Sequence, residues 1–124
     1  MSVKSINLSW IVVKDFKKAL EFYTAVIGLK VMEINEQYGW AELQGHEGGA
    51  RLGIAQAQFE NILKPGANAC VTFTVENLEK AIGDLQKKGA KSVGEIQVIP
   101  GHVKLQMVVD HDGNHVQLVE LLHA

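Results

Sequence analysis

The sequence predicts an α+β protein made of two tandem β-α-β-β-β modules. Three observations carry the prediction: two amphipathic helical stretches of matching pattern, strand-like alternation around each, and one constant offset relating the two sets. In the first stretch Phe16, Ala19, Leu20, Tyr23, Val26 and Ile27 recur at the spacings of one helix face. Leu78, Ala81, Ile82 and Leu85 do the same further along. The differences 78 − 16, 81 − 19, 82 − 20 and 85 − 23 all equal 62. The same shift joins Ile11 to Phe73 and Val13 to Val75 upstream, and Val31 to Val93, Glu33 to Glu95 and Ile34 to Ile96 downstream. One shift running through strand, helix and strand marks a duplicated module.

Each element then follows in order. The opening strands fall near Ser5–Val13 and Ala69–Val75, where side chains alternate. Asp15 and Asn77 stand where a helix N-cap is wanted, because their side-chain oxygens accept a free backbone N–H. Gly28 and Gly89 stop the helices at positions that favour a left-handed backbone, and Lys87 and Lys88 complement the second helix dipole. Three strands complete the first module at about 30–35, 39–43 and 51–57, and three complete the second at about 92–99, 103–110 and 116–122. Gly45–Gly49 and Asp112-Gly113-Asn114 signal turns. Module one thus covers about 5–57 and module two about 69–122, with 58–68, which contains Pro65-Gly66, as the linker inside a single domain of residues 1–124.

A chain of 124 residues is one domain in size and long enough to bury a core. Its 47% hydrophobic and 21% charged residues are the balance of a globular protein. A net charge of −2, with lysines spread among acids, lacks the footprint of a nucleic-acid binder. No run approaches the roughly 18 apolar residues of a membrane span. Cys70 is the only cysteine, so there is no internal disulfide; with no signal-like N-terminus, a cytoplasmic location is the expectation.

Val13-Lys14-Asp15-Phe16, leading into Ala19-Leu20-Glu21-Phe22-Tyr23 and Ile27-Gly28-Leu29, resembles the opening of vicinal oxygen chelate proteins, the glyoxalase/bleomycin-resistance/extradiol-dioxygenase superfamily. Asp110-His111-Asp112-Gly113-Asn114 followed by Gln117-Leu118-Val119-Glu120 is similar to their close. The likeness spans about 5–121. It implies curled mixed sheets around a deep cleft, a homodimer, and a small-molecule ligand; the charge and the apolar runs add the expectation of no nucleic-acid and no membrane partner. It does not choose among isomerases, dioxygenases, epimerases, transferases and drug binders.

Catalytic members hold a divalent metal with His, Gln or Glu on the first and last strands of each module. Carried over by position, those sites fall at Leu8, Gly53, Cys70 and Glu120. Leucine and glycine have no donor, so the resemblance implies an incomplete metal site and no metal cofactor. His111 and His115 bracket a polar turn, His46 lies in a Gly-rich loop, His102 follows Pro100-Gly101 and His123 is nearly terminal. None shows a gathering spacing, and they read as surface residues.

If those four positions face the cleft, strand alternation sends Trp10, Thr72, Arg51 and Leu118 the same way, with Ile11, Val13, Val71, Phe73 and Val75 packed under the helices. Trp40 and Met107 on the third strands are expected there too. The candidate ligand-binding residues are therefore Trp10, Trp40, Arg51, Thr72, Met107 and Glu120. Glu120 either pairs with a cationic ligand, serves as a catalytic acid/base, or is a relic of a metal site now salt-bridged to Arg51 or another partner. Trp10 and Trp40 either stack on a planar or cationic ligand or belong to core or dimer interface. Cys70 reads as a small hydrophobe, with no histidine placed to activate it. Two functions follow: a bleomycin-resistance-like small-molecule-binding protein with an apolar, partly aromatic cleft, or a glyoxalase-like lyase or isomerase using Glu120, with or without a metal. An interaction module with a self-filled cleft is a third.

Overall fold

The computed structural model describes residues 4, 6–57, 64–66 and 70–122. The predicted strand starts at Ser5 and Ala69, most of the predicted linker and His123 lie outside those residues. The chain divides into two compact units, Met1–Asn68 and Ala69–Ala124. Unit one runs β1 (Leu8–Val13), α1 (Phe16–Glu21), a π-helical turn (Phe22–Val26), β2 (Lys30–Asn35), β3 (Trp40–Gly45) and β4 (Gly48–Gln56). Unit two runs β5 (Val71–Thr74), α2 (Leu78–Lys87), β6 (Lys91–Ile99), β7 (Val103–Val109) and β8 (His115–Leu121). Each unit is the predicted β-α-β-β-β module. Among the described residues no helix is long and apolar enough to cross a membrane.

Each module folds into one open, four-stranded mixed sheet, in the orders β1-β4-β3-β2 and β5-β8-β7-β6. The first and last strands of a module pair in parallel across the helix, and the other pairs are antiparallel. In unit one the register aligns Ile11 with Ile54, Ile54 with Ala41, and Leu52 with Leu43, and all five are buried. These side chains share one sheet face, and Phe16, Ala19 and Tyr23 of the helical segment are buried with them. In unit two Val116, Leu118 and Val108 are buried with Leu78, Ile82 and Leu85 of α2. The three helix residues are those picked out by the i, i+4, i+7 pattern, which is why that pattern located the helix.

The caps form as their residue types dictate. Asp15 Oδ1 accepts from Lys18 N at 3.2 Å, and Asn77 Oδ1 from Lys80 N at 3.0 Å. A second cap comes from far along the chain. Gln56 Oε1, on β4, accepts from Phe16 N at 2.8 Å, and Glu120 Oε1, on β8, accepts from Leu78 N at 2.7 Å. The last strand of each module therefore satisfies an N–H at the start of its own helix, a donor with no partner inside the helix.

These paired caps refine the repeat. Asp15 and Asn77 differ by 77 − 15 = 62, whereas Gln56 and Glu120 differ by 120 − 56 = 64. The extra length falls between helix and last strand, where β6 has nine residues against six in β2 and its register slips between Val93 and Gln97. The Asp110–Asn114 turn is held by its own side chains. Asp110 Oδ1 accepts from the backbone N–H of Asp112 and of Asn114, each at 2.9 Å, and its Oδ2 accepts from Asn114 Nδ2 at 2.9 Å. Both side chains are buried, so this closing motif anchors β7 to β8. His46 Nε2 lies 2.7 Å from Gly28 O, and so ties the β3–β4 turn to the end of the helical segment.

Candidate functional site: the open face of the first sheet

The face of the first sheet opposite its helix carries Leu8 and Trp10 from β1, Arg51 and Gly53 from β4, Trp40 and Glu42 from β3, and Glu33 from β2. The register fixes this set: Leu8 pairs with Arg51, Trp10 with Gly53, Gly53 with Glu42, and Glu42 with Glu33. Trp10 is 40% exposed and Trp40 half-buried. Their rings meet edge to face, with centroids 6.2 Å apart and planes at 62°.

Gly53 makes that arrangement possible. A Cβ there would overlap Cη2 of Trp40 and stand 2.8 Å from its Cζ2 and 2.9 Å from Trp10 Cβ. The Trp40 indole thus lies across β4 in the space a side chain would fill. The residue that leaves the sequence-derived metal site without a donor is the one that seats the tryptophan.

A hydrogen-bonded chain of charge holds the ring. Trp40 Nε1 donates to Glu42 Oε2 at 3.1 Å, and Arg51 Nη1 donates to Glu42 Oε1 at 3.1 Å. Glu33 Oε2 lies 3.9 Å from the same guanidinium nitrogen. The Trp40 N–H, and then Arg51, hold the Glu42 carboxyl below its ordinary value, so it is ionised at neutral pH. Two carboxylates and one guanidinium leave this group with a net negative charge. Glu42 was absent from the sequence-derived set, though its position two residues after Trp40 on one strand was the signal that could have found it.

In unit two the register separates residues that the sequence reading had grouped. Thr72 pairs with Gln117 and Gln117 with Met107, so these three share the face opposite the helix. Thr72 Oγ1 donates to Gln117 Oε1 at 3.1 Å, and Cys70 Sγ, its thiol pushed up by burial, contacts Met107 Sδ at 3.7 Å. Leu118 instead pairs with Phe73 and Gln106, and Glu120 with Lys104, which puts both on the helix face. Leu118 is 2% exposed.

The expectation that Glu120 and Leu118 look into a ligand cleft is therefore corrected. The carboxylate of Glu120 is engaged at the start of α2, and Arg51 takes Glu42 and Glu33 as its partners. The cause is a counting error that the register exposes: Trp10 opposes Gly53 and Thr72 opposes Gln117, so Gln117 is the counterpart of Gly53. A separate hollow of about 440 Å³, lined by Asp15, Phe16, Glu36, Tyr38 and Gln56 among others, lies beside the β2–β3 turn, and none of the predicted site residues lines it.

Residues 4–118 match the family model of the Glyoxalase/Bleomycin resistance protein/Dioxygenase superfamily. The chain belongs to this superfamily. A superfamily member from Sphaerobacter thermophilus DSM 20745 is similar with a TM-score of 0.82 at 20% identity, over 95% of this chain and 98% of that one. TnmS3, an antibiotic binding protein from Streptomyces sp. CB03234, is similar with a TM-score of 0.78 at 21% identity, over 98% of both chains. A glyoxalase family protein from Bacillus cereus gives a TM-score of 0.78 at 21% identity, over 98% of this chain and 97% of that one. At such identities the likeness speaks for the fold alone. A search of curated proteins finds no match.

The superfamily's metal chemistry can be tested against these side chains. In unit one Leu8 offers no donor and Gly53 lies beneath the Trp40 ring; in unit two the corresponding positions are Cys70 and Gln117. Among the described residues no three of His, Cys, Asp or Glu gather closely enough to hold a metal ion.

Proposed function

We propose that this superfamily member is a small-molecule-binding protein that takes a planar, cationic or aromatic ligand on the Trp10–Trp40 face. The observation that carries the reading is the Gly53 vacancy that seats Trp40 against Trp10, with Glu42 fixing the indole N–H. A tryptophan held in one orientation stacks on a flat ligand at low entropic cost, and its ring face attracts cations. The net negative charge of Glu33, Glu42 and Arg51 likewise favours a cationic ligand. The antibiotic binding protein on the same fold supports binding as an occupation for this architecture. In this reading the protein acts in the cytoplasm as a homodimer, and Thr72, Met107 and Gln117 give the second module's own open face polar and soft groups for a ligand. Against the lyase or isomerase alternative stands the engagement of Glu120 Oε1 by the Leu78 N–H at the start of α2.

The test uses the protein's own fluorescence, since both tryptophans lie on this face. Planar aromatic cations, with neutral and anionic counterparts of the same shape, are titrated against Trp emission. Saturable quenching by the cations, lost in Trp40→Ala, supports the reading. Absence of saturation with every cation, or equal response to the anions, overturns it.

A further inference from the structure

β2 lies at the edge of the first sheet, and its alternation is broken once. Lys30 pairs with Gln44 and Val31 with Leu43, whereas Glu33 pairs with Glu42 and Ile34 with Ala41. Met32 is therefore the extra residue of a β-bulge. Leu43 and Ala41 are buried on the helix face, so Val31 and Ile34 both belong to that face although they stand three positions apart. Strict alternation from Val31 would have turned Glu33 toward the helix as well. The bulge turns it to the open face instead, opposite Glu42.

The two carboxylates brought together in this way are not equivalent. The Glu42 side chain is 19% exposed, and each of its oxygens accepts a hydrogen bond, Oε2 from Trp40 and Oε1 from Arg51. The Glu33 side chain is 59% exposed, and its Oε2 lies 3.9 Å from Arg51 Nη1, an ion pair beyond hydrogen-bond length. Arg51 is thus committed to Glu42, which is committed to the indole. One guanidinium cannot neutralise two carboxylates, and Glu33 is the one that keeps acceptor capacity toward solvent.

We infer that Glu33 sets the ligand specificity of the Trp10–Trp40 face: the face takes flat cations that carry N–H donors, protonated aromatic amines or amidines, and Glu33 accepts from them. The inference rests on the ligand reading given above and narrows its chemistry. Stacking and cation–π attraction are open to any flat cation. A charge-assisted hydrogen bond to Glu33 is open to an ammonium or amidinium and closed to a quaternary nitrogen, which has no N–H. The Met32 bulge is then the device that aims the selecting carboxylate, as bulges at sheet edges beside functional sites do.

The experiment titrates two cations of one ring system against tryptophan emission of the full chain: protonated 4-aminoquinoline, which has N–H donors, and 1-methylquinolinium, which has none. The native protein should bind the aminoquinoline about tenfold more tightly, the scale of one charge-assisted hydrogen bond. Glu33→Gln should remove most of that preference. The side chain is exposed on an edge strand, so this variant keeps the fold, and a thermal melt checks that it does. Equal affinity for the two cations in the native protein, or a preference that survives Glu33→Gln, overturns the assignment while the ligand face stands. Absence of saturation with both cations overturns the ligand reading and this inference together.

Discussion

Replacing Gly53 with alanine is the sharpest perturbation that the first sheet offers. The added Cβ would overlap the Trp40 ring and stand 2.9 Å from Trp10 Cβ, and β4 is paired on both sides, so the backbone has little freedom to yield. Trp40 must swing away. It then gives up its hydrogen bond to Glu42, worth roughly 1.5–3 kcal/mol for a charged acceptor, and its edge contact with Trp10, roughly 0.5–1.5 kcal/mol. Trp40 is only half-buried, so water replaces part of the lost hydrogen bond, and the net cost settles at about 1–3 kcal/mol. Urea denaturation of the native and Gly53→Ala proteins reads the stability change. Tryptophan emission reads the ring, and should shift to the red as the indole enters water. A stability change below about 0.5 kcal/mol together with unchanged emission would refute the claim that Gly53 seats the tryptophan.

Other consequences follow from the same contacts. Glu120→Gln keeps an acceptor for Leu78 N, as Gln56 does in unit one, and should lose only the dipole contribution of about 0.3–1 kcal/mol, whereas Glu120→Ala should cost about 0.5–2 kcal/mol. Thermal melts of both variants decide this, and an equal cost for the two would count against it. Asn114→Ala strips Asp110 of a buried donor and should destabilise by about 1–3 kcal/mol, read by urea denaturation. The Glu42 carboxyl is held below its ordinary value of 4.5 in the folded state, so the stability it contributes is present above that value and lost as pH falls through the lower folded one. The difference in urea midpoint between native and Glu42→Gln proteins should accordingly shrink on going from neutral pH to below about pH 4. Soaking with nickel, zinc or manganese should leave less than one metal per chain by elemental analysis, and a stoichiometric metal would overturn the reading of Gly53 and Glu120.

The fold was legible because helical periodicity and duplication are properties of spacing alone. Leu78, Ile82 and Leu85 announce a buried helix face wherever the sheet lies, and the offset of 62 carries that knowledge to the other module. The site was half legible. Trp10, Trp40 and Arg51 fall on one face by simple alternation within short, regular strands. In unit two the last-strand position carried over from the resemblance falls at Glu120, three residues beyond Gln117, the residue that opposes Thr72. An odd-numbered slip in a strand exchanges its faces, and taking Glu120 as the counterpart of Gly53 made such a slip. Partners across strands were hidden for a different reason. Nothing in the order of residues shows that the Trp40 ring spans β4, or that Glu42 receives both its N–H and the guanidinium.

The two long-range caps also bear on how such a chain comes together. Gln56 and Phe16 are 40 residues apart, and Glu120 and Leu78 are 42, so each clasp closes a loop almost as long as its module. Closing a long loop costs entropy before it returns any contact, so these bonds form only once the intervening hairpin strands have docked. Until then each helix starts with an exposed amide and a loose first turn. During synthesis the first module can complete its clasp as soon as Gln56 has emerged, without waiting for anything downstream. The second depends in the same way on its own last strand, so loss of even a few residues from β8 would unfasten α2 while leaving the first module shut.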